Sequence, residues 1–234
     1  MVVLKAQGFS QRVGVDYLET FSPVVKLNTL RTVLAIAAKR NMHMHSGDIE
    51  TAFLNANLQE EIYMRQPKGA EDGTPRVMRL LKSTYGLKHA SREWHKLFHQ
   101  TLSSLGMQRA TSDTSLYMMN HPVHGICIVL VYVDDILIVS NPLKWVESAK
   151  RAIGNQFRMT DFGEAKFILG MDIIMNREAG TITLSHEQYT KEILEKYGML
   201  DSMPCKVPMA PTHYRDREDA YDQDKVGSPR GRWA

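Results

Sequence analysis

The run Gly125-Ile126-Cys127-Ile128-Val129-Leu130-Val131-Tyr132-Val133-Asp134-Asp135-Ile136-Leu137-Ile138-Val139-Ser140 constrains the fold more than any other stretch. Eight apolar or aromatic residues, two aspartates and four more apolar residues read as two buried β-strands joined at an acidic two-residue turn. Neither flank alternates with polar residues, so both strands are expected in the interior of a covered sheet. Aspartate tolerates turn conformations, and a plain hairpin tip accounts for the pair taken alone. Adjacent carboxylates between buried strands nevertheless repel and lose hydration, which is unfavourable unless a cation sits among their oxygens.

A third aspartate lies far upstream in a similar setting. Residues 42–49 alternate loosely as a strand, and Asp48 falls at its end, before a short helical segment at Thr51-Ala52-Phe53-Leu54. An N-cap is the alternative role for Asp48. If the two strands neighbour each other in one antiparallel sheet, Asp48, Asp134 and Asp135 surround one or two hard cations, Mg²⁺ or Mn²⁺. Two such ions suit in-line phosphoryl displacement. His43 and His45 share a strand face without a third ligand nearby and read as solvated; His95 and His99, one helical turn apart, read as surface histidines.

The net charge of the 234 residues is only +3, so affinity for nucleic acid has to come from local clustering. Residues 76–96 supply it: Arg76, Arg79, Lys82, Lys88, Arg92 and Lys96 stand against the single acid Glu93, with Tyr85 and Trp94 interleaved. Cys127 lies in an apolar strand and Cys205 in a loop, without disulfide or zinc-ligand spacing, which fits a reducing, intracellular setting, cytoplasmic or nuclear. No apolar run approaches the ~18 residues of a membrane span and Met1 to Lys5 is no signal peptide, so no membrane partner is expected.

Around these features the chain reads as an α+β domain. A strand is expected over 2–8 and a loop over 9–23. A helix with Asn28 as N-cap buries Leu30, Val33, Leu34, Ala37 and Ala38. Glu60 to Pro67 reads as a strand, and Ser91 as the cap of a helix through Leu105 that Gly106 ends. A helix opens at Asn141-Pro142 with Val146, Ala149 and Ile153 buried. Phe167 to Met175 and Thr181 to Leu184 form a hairpin with Gly170 at a bulge or a close approach, and Ser185 and Gln188 form a capping box for the last helix. Residues 211–234 hold five acids and five basic residues, and Val226 alone exceeds alanine among their aliphatics, so they read as a disordered polar tail.

Several blocks, in this order, resemble the reverse transcriptase of copia-type LTR retrotransposons: Gly8-Phe9-Ser10-Gln11-Arg12, Glu19-Thr20-Phe21-Ser22-Pro23-Val24, Asp48-Ile49-Glu50-Thr51-Ala52-Phe53-Leu54-Asn55, Glu61-Ile62-Tyr63-Met64, Tyr85-Gly86-Leu87-Lys88, Tyr132-Val133-Asp134-Asp135 and Phe162 to Gly170. The resemblance implies a right-hand polymerase, fingers and palm, with a central antiparallel sheet packed on helices over residues 1–210, and a primed RNA or DNA template and dNTP as partners. It implies that Asp48, Asp134 and Asp135 bind two Mg²⁺ or Mn²⁺ ions, with the Ile49 carbonyl as a possible backbone ligand. Phe53 matches the bulky position that excludes a 2′-hydroxyl, Tyr85, Gly86 and Lys88 the block lining nucleotide and template, Tyr132 the residue under the primer end, and Phe167 to Asp172 the primer-positioning hairpin. Arg76, Arg79, Lys82 and Arg92 are the expected nucleic-acid contacts.

Three departures leave a second function open. Val2-Val3-Leu4-Lys5-Ala6 lacks the arginine of the usual Lys-Ala-Arg-Leu-Val-Ala block, His89-Ala90-Ser91-Arg92 replaces Gln-Ala-Pro-Arg, and the RNase H and integrase parts of Pol are not in this chain. These are the marks of a domain truncated at its N-terminus, and of a catalytically inactive remnant that retains nucleic-acid binding. A different two-metal enzyme, a nuclease, is disfavoured by Phe53 and by the hairpin after residue 166.

Overall fold

The computed structural model describes residues 4–121 and 125–206, so the expected tail at 211–234 lies outside the described residues. The chain divides into two units, Met1–Ile168 with Ile173–Thr183, and Leu169–Asp172 with Leu184–Ala234. A 3-10 turn at Gly8–Ser10 precedes α1 (Leu27–Lys39), β1 (His43–Ile49), α2 (Ala52–Asn55), β2 (Asn57–Arg65) and β3 (Val77–Lys82). Then follow α3 (Ala90–Ser104), β4 (Gln108–Arg109), β5 (Leu116–His121), β6 (Gly125–Tyr132), β7 (Asp135–Ser140), α4 (Leu143–Gly154) and β8 (Met159–Glu164). The strands β9 (Phe167–Ile168), β10 (Met171–Asn176) and β11 (Thr181–Ser185) form a three-stranded sheet of order β11-β10-β9, and α5 (Glu187–Lys196) comes last.

The main sheet has the order β4-β5-β6-β7-β1-β8 and is antiparallel at every pairing. As their unbroken apolar runs require, β6 and β7 are interior. Alternation sends Cys127, Val129, Val131, Ile136 and Ile138 to one face, where they pack on Trp94, Phe98 and Leu102 of α3 and on Val146, Ala149 and Ile153 of α4. On the other face Ile126 and Ile128 share a cleft with Val33 and Ile36 of α1. Each fully buried side chain of this size contributes about 1.5–3 kcal/mol over exposure, so a one-residue slip of β6 or β7 is strongly disfavoured.

Several expectations about local structure need correction. Residues 4–7 belong to no sheet; they run beside the loop after β3, tied by Ala6 N–H to Tyr85 O at 2.8 Å. Lys26, not Asn28, precedes α1, and the buried Asp113 accepts from its N–H at 2.9 Å. Burial works to raise the Asp113 pKa, but hydrogen bonds from Thr29, Lys26 and Ser115 outweigh it and hold the carboxyl below its ordinary value. Likewise α3 starts at Ala90 after His89, so Ser91 is not its cap. His95 and His99 are partly buried rather than surface groups, and that burial is the main reason their pKa values fall. Gly170 marks no bulge: with Leu169 it turns the chain, both at positive φ, between β9 and β10. No capping box forms at α5, because Gln188 reaches forward to Glu192. Among the described residues no helix is long and apolar enough to cross a membrane.

Candidate active site

In the β1–β7 register Asp48 stands directly opposite Asp135, and Ile49 N–H donates to Asp134 O at 2.9 Å. Opposed residues of an antiparallel pair share a face, so these two carboxylates lie on the same side of the sheet. Asp48 caps no helix, since Thr51 precedes α2. The turn is displaced by one residue from the expected acidic pair. Its central residues are Val133 and Asp134, while Asp135 already pairs with Tyr132. Val133 has φ +59°, a region that costs a β-branched residue about 1–3 kcal/mol and that persists only where the surroundings impose it. Its carbonyl accepts the indole N–H of Trp94 at 2.6 Å. Thr51, also β-branched, sits at φ +51° just after the Asp48 strand.

The electrostatics match this crowding. Burial first, then the charges of Asp134 and Glu50, raises the Asp48 pKa above its ordinary value. Burial, Asp134 and Asp48 do the same to Asp135. The Tyr85 phenol is also raised, by burial and then by Asp134 and Asp48, which puts its hydroxyl within their field. The Tyr85 ring meets Phe53 of α2 with centroids 4.6 Å apart. Phe53, Tyr85, Asp48, Asp134 and Asp135 are thereby assembled at one end of the sheet, and Tyr132 is partly exposed opposite Asp135. Clustered carboxylate oxygens with uncompensated charge are the donor chemistry of a hard divalent cation. Among the described residues, however, no group of three or more His, Cys, Asp or Glu side chains is arranged to hold a metal ion. His43 and His45 belong to no such group, and Lys150 Nζ lies 3.0 Å from His45 Nδ1.

The loop bearing Tyr85, Gly86 and Lys88 is held by the segment before it in sequence. Thr84 Oγ1 donates to Leu4 O at 2.9 Å and Lys88 N–H to Gln11 Oε1 at 2.8 Å. A Cβ on Gly86 (φ +95°) would lie 2.0 Å from Ala6 O, and one on Gly8 1.9 Å from Gly86 O, so glycine is required at both places. Lys88 turns its ammonium toward Gln11 O and Tyr17 Oη, each at 3.3 Å. The clamping role of Gln11 was not anticipated; its place between Gly8 and Lys88 emerges only once the chain folds back.

The basic segment meets acids from elsewhere. Arg76 pairs with Asp72 at 2.6 Å, Arg79 with Glu61 at 2.9 Å, and Arg92 with Glu19 at 2.8 Å and Glu93 at 3.0 Å. A charge count over 76–96 alone misses Asp72, Glu61 and Glu19. Lys82 forms no ion pair among the described residues.

A sequence model of the family described as "Reverse transcriptase (RNA-dependent DNA polymerase)" matches residues 2–211. The chain is 38% identical over 209 residues to the retrovirus-related Pol polyprotein from transposon TNT 1-94 of Nicotiana tabacum, covering 88% of this chain and 16% of that protein. It is 37% identical over 209 residues to the corresponding polyprotein from transposon RE2 of Arabidopsis thaliana, covering 88% of this chain and 14% of that one. With the putative transposon Ty5-1 protein YCL074W of Saccharomyces cerevisiae it shares 33% identity over 144 residues, 61% of this chain and 46% of the relative.

Proposed function

The chain belongs to the reverse transcriptase (RNA-dependent DNA polymerase) family, and from that premise we propose that it is the RNA-directed DNA polymerase domain of a copia-type retrotransposon Pol polyprotein. The polymerase domain spans residues 1–210 and carries fingers and palm. The observation that carries this reading is the Asp48–Asp135 register, which brings carboxylates from two distant sequence blocks together beside the Phe53–Tyr85 contact.

In this reading Asp48, Asp134 and Asp135 would hold two Mg²⁺ or Mn²⁺ ions, with the Ile49 carbonyl as a backbone ligand. When bound, such ions stabilise the attacking and leaving oxygens of an in-line phosphoryl displacement. The primer 3′-hydroxyl attacks the α-phosphate of dNTP and pyrophosphate leaves. Phe53 closes the space a 2′-hydroxyl would need, Tyr85, Gly86 and Lys88 line the nucleotide, and Tyr132 supports the primer end. Arg76, Arg79, Lys82 and Arg92 contact the nucleic-acid backbone.

The test is dNTP incorporation on poly(rA)/oligo(dT) with Mg²⁺ or Mn²⁺. The chain incorporates and Asp134→Asn does not, because the amide removes a metal-binding charge with little change of volume. The departures from the family's blocks at Val2 to Ala6 and at His89 to Arg92 favour a second reading, an inactive remnant that binds nucleic acid. A folded chain that binds primed template without synthesis would establish that reading instead.

A further inference from the structure

We propose that Trp94 is a positioning residue for the acidic turn: its indole N–H, by holding the Val133 carbonyl, fixes where the Asp134 and Asp135 carboxylates stand. Trp94 is about 1% exposed and packs against Phe98 and Phe157, with ring centroids 5.1 Å away in each case. Packing alone explains an aromatic ring here, but a phenylalanine would supply that. What only tryptophan adds is the N–H, and it points at Val133 O at 2.6 Å. Val133 occupies a left-handed conformation that a β-branched residue does not hold by itself. Two ties on successive carbonyls impose it, Trp94 on Val133 O and Ile49 N–H on Asp134 O. Without the first, a half-buried carbonyl loses its donor and the turn is free to relax. The consequence for catalysis rests on the polymerase reading; the tie itself does not.

The experiment compares the full chain with Trp94→Phe, which keeps a ring and loses the donor, and with Phe98→Leu as a packing control. A third protein carries benzothienylalanine at position 94, an indole isostere with sulfur in place of N–H, in case the phenylalanine variant fails to fold. Hydrogen exchange is followed at Ile49, whose N–H bonds the turn, and at Val129 in the middle of β6, alongside Mn²⁺ affinity and dNTP incorporation. Loss of the donor speeds Ile49 exchange about fivefold or more beyond any change at Val129, weakens Mn²⁺ binding and lowers kcat with dNTP KM little altered. Phe98→Leu moves Ile49 and Val129 together. Ile49 exchange and Mn²⁺ affinity unchanged in both donor-free proteins overturn the proposal. Failure of the parent chain to incorporate dNTP would instead strike the polymerase reading, while Ile49 exchange still decides the tie.

Discussion

Asp48 and Asp135 confront each other across two strands, and neither forms an ion pair among the described residues. In the metal-free chain that is a cost, and its sign is set by the direction of the shift. A carboxyl whose folded pKa lies above its ordinary value of 3.8 makes the folded chain bind more protons than the unfolded one, so stability falls as pH rises from 3.8 through the folded pKa. Asp135→Asn removes that cost. Its urea midpoint, measured without divalent metal, should exceed that of the parent at neutral pH, and the difference should vanish below about pH 3.8. A parent more stable than the variant at neutral pH would contradict the electrostatic picture. At this scale the three aspartates were legible because carboxylates at the ends of apolar strands are chemically conspicuous. The Phe53–Tyr85 contact was not, since it joins α2 to a loop about thirty residues on, and neither residue announces its partner.

Among the elements, the interior strands were the easiest to read, β6 and β7 because both their faces are apolar. The half-exposed strands β3 and β8 went unread, for none of their residues is fully buried and no apolar run stands out. The turn between β6 and β7 was displaced by one residue because pairing of Tyr132 with Asp135 extends the ladder beyond where two adjacent acids suggest it stops. Residues 2–8 resembled a strand by composition, yet residues 4–11 act as a strap on the loop after β3, seated by two glycines. Gly8→Ala places a methyl against the Gly86 carbonyl and should destabilise the chain by about 1–3 kcal/mol, an overpacking cost read from urea unfolding. The clash also displaces Tyr85, so dNTP KM should rise. Unchanged stability and KM would show that the strap has no hold on the loop.

For the molecule as a whole, the net charge is +3, and ion pairs on Arg76, Arg79, Arg92 and Lys96 leave Lys82 and Lys88 as the cations of the basic segment without one among the described residues. That neutralisation was invisible in a local count because its acids are spread from Glu19 to Asp72. The α+β class was legible from alternating helix and strand signals, whereas the sheet order had to come from the structure. The chain spans 14–16% of the length of the plant Pol polyproteins it matches. The polymerase reading claims that folding brings Asp48 and Asp134 together as one divalent-cation site. The direct measurement is an Mn²⁺ titration of the full chain, followed by electron paramagnetic resonance, beside Asp48→Asn and Asp134→Asn. Saturable binding weakened about tenfold or more by either substitution is the predicted result. Binding equally strong in all three proteins, or no saturable binding in the folded parent, would contradict the claim.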